Sequence, residues 1–98
     1  MVYTRADDDG AFEWDDDNAG HVARHGIEWW EAEEALLDED RFALSRGMPR
    51  GEYRFAIVGK TLAGRMLTVV FARRNARIRV VTARDAARRE VRLYGRNK

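Results

Sequence analysis

The apolar pattern of the chain begins with a short strand followed by a helix. Residues 11–14, which are mostly apolar, predict a short strand. Asp15 and the two aspartates after it supply carboxylates that favour a helix N-cap and first turn. We expect this helix to end near His25, because Gly26 can adopt the left-handed conformation that often follows a helix. Residues 1–10 offer little to bury and are predicted to form a disordered acidic leader.

A second helix is predicted over residues 28–38. Trp29, Ala32 and Leu36 recur at helical spacing and form an apolar stripe along one face. Such a stripe must be buried against another layer of structure. Because strand-like segments follow, we expect this helix to pack on a sheet.

From residue 41 the pattern changes to an alternation of polar and apolar positions, which indicates strands. Turn-forming residues divide this region into four predicted strands, at residues 41–45, 53–58, 66–72 and 77–83. Gly59 and Gly64 are expected to bracket a loop, and residues 73–76 a tight hairpin. Consecutive strands joined by short turns predict an antiparallel meander.

The last predicted strand has two different faces. Ile78 and Val80 point to one side of it, and Arg77 and Arg79 point to the other. This arrangement is typical of a sheet with one packed face and one face in contact with water or a ligand. We therefore expect these arginines to face water or a ligand.

A third helix is predicted over residues 86–94. Thr82 and Asp85 stand three residues apart before it and resemble a capping box. Its expected packed face consists of Ala87, Val91 and Tyr94.

The length of 98 residues limits the chain to one compact domain with a small core. The predicted fold class is α+β, with a small antiparallel meander sheet packed against two N-terminal helices and one C-terminal helix. The domain is expected over residues 11–95, and residues 96–98 form a tail. The chain has no cysteine, which excludes a disulfide scaffold. No apolar run approaches the ~20 residues that span a bilayer, and the acidic start is unlike a signal peptide, so we expect a cytoplasmic protein with no membrane partner.

Charge divides the chain in two, although its formal net charge is only +1. Residues 1–40 carry two arginines against fourteen carboxylates, a formal charge of −12, and residues 41–98 carry sixteen lysines or arginines against three carboxylates, a charge of +13. Eight arginines crowd the last hairpin and the helix after it: Arg73, Arg74, Arg77, Arg79, Arg84, Arg88, Arg89 and Arg92. Guanidinium groups bind phosphate and stack on bases, so this density favours an anionic polymer as the ligand. The alternative is that the basic half simply pairs with the acidic half inside the fold.

The two histidines, His21 and His25, lie one turn apart on the first predicted helix, in a polar row with Asn18. This spacing can hold a metal ion, but the sequence lacks the H-E-x-x-H glutamate, any cysteine and an evident third ligand. Structural hydrogen bonding and acid–base chemistry are the other interpretations. The G-K-T at residues 59–61 lacks the upstream glycine of a P-loop. We expect neither a metal nor a cofactor.

A glutamate of the last helix and the three tryptophans each have a functional and a structural interpretation. Glu90, on the last predicted helix, can orient a nearby arginine or serve only as an exposed ion-pair partner. The three tryptophans can stack on bases, but in so small a protein they are expected in the core: Trp14, Trp29 and Trp30.

Several strings along the chain resemble those of BrnT-type toxins. They are F-E-W-D at 12–15, Asn18, His21, A-R-H-G-I at 23–27, E-A-E-E-A at 31–35, A-G-R at 63–65 and, most specific of all, R-I-R-V-V-T-A-R-D-A-A-R-R-E-x-x-x-Y at 77–94. The resemblance implies a bacterial toxin of a type II toxin–antitoxin system, with a RelE-like fold, that blocks growth by cutting RNA. It also implies neutralisation by a small ribbon-helix-helix antitoxin, which together with the toxin binds operator DNA.

A ribonuclease that needs no metal must activate the ribose 2′-hydroxyl, stabilise the phosphorane-like transition state and protonate the leaving 5′-oxygen. Imidazole and guanidinium groups suffice for these steps. Our hypothesis assigns acid–base catalysis to His25, the transition-state phosphate to Arg79 and Arg84, orientation of an arginine to Glu90, substrate positioning to Arg77 and Arg88, and secondary RNA-binding roles to His21 and Tyr94. One alternative is a non-catalytic basic module that binds an acidic protein or nucleic acid. Another is a metal-dependent nuclease that uses the two histidines.

Overall fold

The structure, a computed structural model, describes residues 11–48 and 51–96. Its elements follow the chain in the order β1 (Phe12–Glu13), α1 (Asp16–Arg24), α2 (Trp29–Leu37), β2 (Phe42–Gly47), β3 (Arg54–Lys60), β4 (Met66–Arg74), β5 (Arg77–Asp85) and α3 (Arg88–Arg96). The predicted acidic leader and the last two residues of the predicted tail lie outside these ranges. None of the helices within them is long and apolar enough to cross a membrane.

Five strands form one sheet in the order β1-β5-β4-β3-β2. Strands β2, β3 and β4 each pair antiparallel with the next strand in sequence, as the predicted meander requires. The short β1 strand joins the sheet in parallel beside β5, with Phe12 opposite Ile78. The sheet is therefore mixed, and the predicted α+β fold class is confirmed.

Helix α1 begins where the aspartates predict it. The Asp15 carboxylate accepts hydrogen bonds from the backbone N–H groups of Asp17 (3.0 Å) and Asn18 (3.1 Å), and the Asn18 side chain accepts one from the Asp15 N–H (2.8 Å). This reciprocal capping box satisfies N–H groups that have no partner within the helix. The helix ends at Arg24, and Gly26 follows with a φ of 76°, the left-handed conformation expected there.

Helix α2 packs on β3 and β4. Its Ala32, Ala35 and Leu36 join the strand residues of the hydrophobic core. The expectation that Gly59 starts a loop is wrong, because this residue is buried within β3, directly beneath α2. A Cβ atom at Gly59 would lie 2.1 Å from the carbonyl oxygen of Ala35. Only glycine therefore permits this close approach of helix and sheet.

Helix α3 packs near β2 and β3 and begins at Arg88, since β5 continues to Asp85. The predicted capping box is wrong, because both of its residues belong to β5. Of the predicted packed face only Tyr94 is buried, while Val91 is exposed. The second buried residue of α3 is Glu90, so a carboxylate faces the sheet.

Adjacent residues of β4 show that the helices lie on opposite faces of the sheet. Leu67 and Val69 are fully buried in the core with residues of α1 and α2. Thr68, between them, donates a 2.8 Å hydrogen bond from its hydroxyl to Glu90 of α3. Successive side chains of a strand alternate between faces. We call the face that bears Leu67 and Val69 the closed face, and the face that bears Thr68 the open face.

Candidate functional site

Three rows of side chains cross the open face from β3 to β5. Residues paired across antiparallel strands point to the same face of a sheet. The rows are Arg54–Ala72–Arg79, Ala56–Val70–Thr82 and Val58–Thr68–Arg84. The first and third rows are four residues apart on β4, which corresponds to about 13 Å along a strand. Arginines therefore stand at both ends of the open face, with neutral side chains between them.

A β-bulge in β5 brings Arg79 and Arg84 to the same face. The pairing with β4 shifts between Val70 and Phe71, which leaves Val81 without an opposite residue. The two arginines are an odd number of positions apart, so strict alternation would place them on opposite faces. The extra residue reverses the alternation, and both arginines reach the open face.

Three adjoining clefts lie along the open face, with volumes of about 640, 540 and 270 Å³. Arg54 lines the first and third clefts, and Ala56 and Val70 line the second and third, so the three form one depression. We call it the basic trough because arginines line its length: Arg54, Arg74, Arg79, Arg84 and Arg89. The carboxylates that line it are Asp17, Glu52 and Glu90. Such a surface suits a negatively charged chain.

Arg84 is fixed by Glu90 at one end of the basic trough. Its two terminal nitrogens donate to the two carboxylate oxygens of Glu90, at 2.7 Å each. Glu90 also accepts hydrogen bonds from the Thr68 hydroxyl (2.8 Å) and the Ala87 N–H (2.7 Å). The side chain of Glu90 is 11% exposed and that of Arg84 is 50% exposed. A held guanidinium group is therefore presented to the trough.

Each member of this pair stabilises the charged form of the other. The hydrogen bond from Arg84 lowers the pKa of Glu90 to about 2, and the bonds from Ala87 and Thr68 act in the same direction against the effect of burial. The same contact raises the pKa of Arg84. Glu90 is therefore ionised at neutral pH, and it contacts an arginine as the sequence hypothesis expects.

Arg79 is held by carboxylates from the N-terminal half of the chain. Its Nη1 lies 3.2 Å from an oxygen of Glu13 and 3.0 Å from an oxygen of Asp15. The hydrogen bond to Asp15 raises the pKa of Arg79 and lowers that of Asp15. The Arg79 side chain is only 13% exposed. Pairing between the acidic and basic halves thus occurs at Arg79, whereas Arg84 pairs with Glu90 of the basic half itself.

His21 lines the basic trough in the same cleft as Arg79. His25, the residue assigned to acid–base catalysis from the sequence, is exposed one turn further along, and the two ring centroids are 5.4 Å apart. An Arg24 nitrogen lies 3.2 Å from Nδ1 of His21. His21, to which the sequence hypothesis gives only a secondary role, is therefore the histidine that lines the trough.

Asn18, the third member of the polar row, joins α1 to the sheet. Its side-chain nitrogen donates to the carbonyl oxygens of Glu13 (3.1 Å) and Val80 (2.9 Å), and the side chain is buried. These bonds satisfy one backbone acceptor of β1 and one of β5, where the short pairing of the two strands ends. Within the described ranges, no three metal-ligating side chains converge on one point.

Three predicted RNA-binding residues lie outside the basic trough. Arg77 donates a 2.7 Å hydrogen bond to the carbonyl oxygen of Phe12, and Arg88 is exposed at the start of α3. Tyr94 is buried, and its hydroxyl donates to Asp38 at 2.7 Å. Burial and the Asp38 carboxylate raise the pKa of Tyr94 to about 12. None of the three therefore lines the trough, although Arg77 is paired with Arg74 across the hairpin.

Arg54 and Arg74 line the trough, although the sequence hypothesis assigns neither a site role. A signal for Arg54 was present, because it alternates with the apolar residues Phe55 and Ile57 and so faces away from the core. Arg74 comes directly before a hairpin turn at 75–76 in which both residues have positive φ. Nothing in its local sequence distinguishes it from Arg73.

The fold and the trough define a small α+β protein with an arginine-lined surface and an imidazole at its wall. The family model of the ribonuclease toxin BrnT, of type II toxin–antitoxin systems, matches residues 14–90. The chain belongs to this family. The match includes His21, Arg79, Arg84 and Glu90 and ends before Tyr94. A search of curated proteins finds no significant match.

Proposed function

We propose that the protein cleaves RNA in the basic trough by acid–base catalysis that needs no metal ion. Its family is one of ribonuclease toxins. The observation that supports this site is the Arg84–Glu90 pair, a half-exposed guanidinium held by a buried carboxylate at one end of the trough. A guanidinium that is fixed before substrate binds is suited to stabilise charge that develops on a phosphoryl group.

In the proposed reaction the ribose 2′-oxygen attacks the adjacent phosphorus and the bond from phosphorus to the 5′-oxygen breaks. The products are a 2′,3′-cyclic phosphate and a free 5′-hydroxyl. A base takes the proton of the 2′-hydroxyl and an acid supplies one to the 5′-oxygen. His21 and Arg84 line different clefts, so we propose that the scissile phosphodiester lies over the middle row, between them. His21 is our first candidate for proton transfer, and His25, beside it, is the second. Arg84 stabilises the added negative charge.

Arg79 is the second arginine assigned to the substrate. Glu13 and Asp15 occupy its guanidinium in the free protein, so RNA has to displace at least one of them. Phosphate and carboxylate compete for the same planar donors. We therefore propose that Arg79 contacts RNA only after the RNA has displaced one of these carboxylates. Apart from His25, we assign no chemical step to residues outside the trough.

Cleavage of labelled single-stranded RNA in EDTA tests this proposal. Arg84→Ala should lower the cleavage rate about 100-fold, and His21→Ala or His25→Ala should have an effect of similar size. Arg92→Ala, which changes an exposed arginine of α3, is the matched control and should cleave normally. Urea unfolding verifies that each variant folds. Undiminished cleavage by Arg84→Ala and both histidine variants would contradict the assignment, and activity abolished by EDTA would contradict metal independence.

A second candidate function is the non-catalytic docking of an acidic partner in the basic trough. The occupation of Arg79 by Glu13 and Asp15 favours it, because it demonstrates that carboxylates fit these donors. This function predicts no cleavage in EDTA or in magnesium, and a complex whose affinity falls steeply with salt. RNA products whose formation depends on Arg84 would exclude it.

For the partner, we propose a small ribbon-helix-helix antitoxin, with operator DNA bound only through the toxin–antitoxin complex. Membership of a type II toxin family supports an antitoxin partner, and RNA as the substrate favours the cytoplasm as the compartment. The product of a short adjoining reading frame should co-purify with the toxin. Operator binding by the toxin alone, as tight as by the complex, would contradict this proposal.

A further inference from the structure

A second charged cluster lies at the end of the basic trough away from Arg84. Arg54 begins β3, Arg74 ends β4, and Glu52 precedes β3 and contacts both. One oxygen of Glu52 lies 2.9 Å from Nε and 2.8 Å from Nη2 of Arg74. The other oxygen lies 3.5 Å from both Nε and Nη2 of Arg54. Glu52 is therefore held closely by one arginine and loosely by the other.

Arg54 has an unsatisfied donor. Its Nε is buried and has no hydrogen-bond partner among the residues described, because the 3.5 Å contact with Glu52 is not a hydrogen bond in length and direction. A buried donor without an acceptor is unfavourable. Guanidinium groups bind anions best through two parallel N–H donors. Movement of Glu52 would open this edge of Arg54 to a better placed anion.

The surroundings of the cluster fit a strand of nucleic acid. Arg54 faces Arg79 across the small side chain of Ala72 in the first row of the open face, which leaves space between the two guanidinium groups. The same cleft contains the Thr82 side chain and His21. The trough continues from here to the third row, about 13 Å away along the strands.

We propose that Arg54 and Arg74 bind a phosphate of the RNA that flanks the scissile phosphodiester, and that this phosphate replaces Glu52. The inference rests on the proposed function, because it takes the middle row, between His21 and Arg84, as the place of cleavage. Glu52 then acts as a competitor within the protein that the RNA displaces. The subsite contributes to binding of the RNA strand and takes no part in the chemical step.

Binding to an RNA that cannot be cut tests the subsite directly. The probe is a 2′-O-methylated single strand of about ten nucleotides, which has no free 2′-hydroxyl to attack. Arg54→Ala should weaken binding about tenfold and lower the slope of log affinity against log salt by about one. Glu52→Gln should strengthen binding about threefold, because the competitor loses its charge. The matched controls Arg92→Ala and Glu39→Gln change the same charges at exposed positions outside the trough and should have little effect.

The opposite directions expected for Arg54→Ala and Glu52→Gln separate loss of the subsite from loss of the fold. Affinity of Arg54→Ala within twofold of the unmodified protein would overturn the proposal, and so would weaker binding by Glu52→Gln. Changes in affinity for a polyglutamate peptide without changes for the RNA would also overturn it, in favour of a protein ligand.

Cleavage of unmodified RNA distinguishes this proposal from the proposed function. If the protein cleaves RNA and Arg54→Ala binds normally, only the subsite is wrong. If no RNA is cleaved but the two variants shift binding as expected, only the cleavage proposal is wrong. In an active enzyme Arg54→Ala should raise KM for long RNA and leave kcat unchanged, and it should leave the cleavage of a dinucleotide unaffected.

Discussion

The two faces of the sheet share the same strands but differ in burial and in charge. On the closed face, Leu67, Val69 and Val80 are fully buried beneath the first two helices, and Gly59 lets α2 approach the sheet. On the open face, charged side chains stand over a floor of smaller neutral ones, and much of the surface forms the basic trough. Stability is thus concentrated on one face, which leaves the other free to carry groups that bind a ligand.

The largest effect on stability is expected on the closed face. Leu67→Ala removes a fully buried side chain and leaves a cavity, so it should lower the free energy of unfolding by about 3 kcal/mol. Leu62→Ala, at a position that is 89% exposed, is the control and should change it by less than about 0.5 kcal/mol. Urea unfolding measures both. A cost below about 1 kcal/mol for Leu67→Ala would show that the closed face does not carry the fold.

The ion pair of the open face is expected to have the next largest effect. Glu90→Gln removes the charge that balances Arg84 and should cost about 2 kcal/mol at neutral pH, allowing for the exposure of Arg84. The pKa of Glu90 falls from 4.5 to about 2 on folding, so its stabilisation is complete above pH 4.5 and is lost as the pH falls towards 2. Acid unfolding of the two proteins should therefore converge in this range. Curves that stay parallel would show that the charge of Glu90 does not stabilise the fold.

Neighbouring valines of β4 compare the two faces directly. Val69 is fully buried on the closed face, and Val70 is partly buried on the open face. Val69→Ala should cost about 2 kcal/mol, and Val70→Ala less than about 1 kcal/mol. Thermal or urea unfolding gives the difference. Equal costs would mean that the open face is packed as tightly as the closed one and would remove the contrast between them.

The smallest effect is expected where the acidic and basic halves meet. Asp15→Ser keeps a side-chain acceptor for the N-cap and removes the charge that contacts Arg79, so it should cost less than about 0.5 kcal/mol. Asp15→Ala also removes the cap and should cost about 1 kcal/mol. Folding lowers the pKa of Asp15, so its charge stabilises the fold above pH 3.8 and less as the pH falls below it. If both variants cost the same in urea unfolding, the cap is not the source of the stability.

The sequence alone predicted most of the local structure. Three predictions that depend on residues close together in the chain are confirmed: the aspartate cap of α1, the glycine after this helix and the apolar stripe of α2. The prediction for Gly59 failed because the reason for glycine there is the carbonyl oxygen of Ala35, which lies far away in the sequence. The capping box failed because β5 extends through both of its residues.

The candidate site was predicted in part. Glu90 contacts an arginine, as the sequence hypothesis expects. Arg79 and Arg84, which the hypothesis assigns to one phosphate, share a face of the sheet but stand in rows about 13 Å apart. The roles of these residues stay predictions. Tyr94 was placed with the RNA-binding residues because it lies in the string that resembles BrnT-type toxins, but its hydroxyl contacts Asp38 instead. The sequence hypothesis did not include Arg54, because only the strand pairing shows that it lies in the same row as Arg79.

The sequence by itself determined the fold class, the division of charge, the family and most element boundaries, because these depend on composition and on neighbours along the chain. Only the tertiary structure decided which charged side chains meet. The unpaired Val81 moves Arg84 to the face of Arg79, and strand register brings Arg54 and Arg74 to the same trough. Register and bulges depend on hydrogen bonds between strands that are distant in sequence. A single shift of one residue would therefore have built a different site from the same arginines.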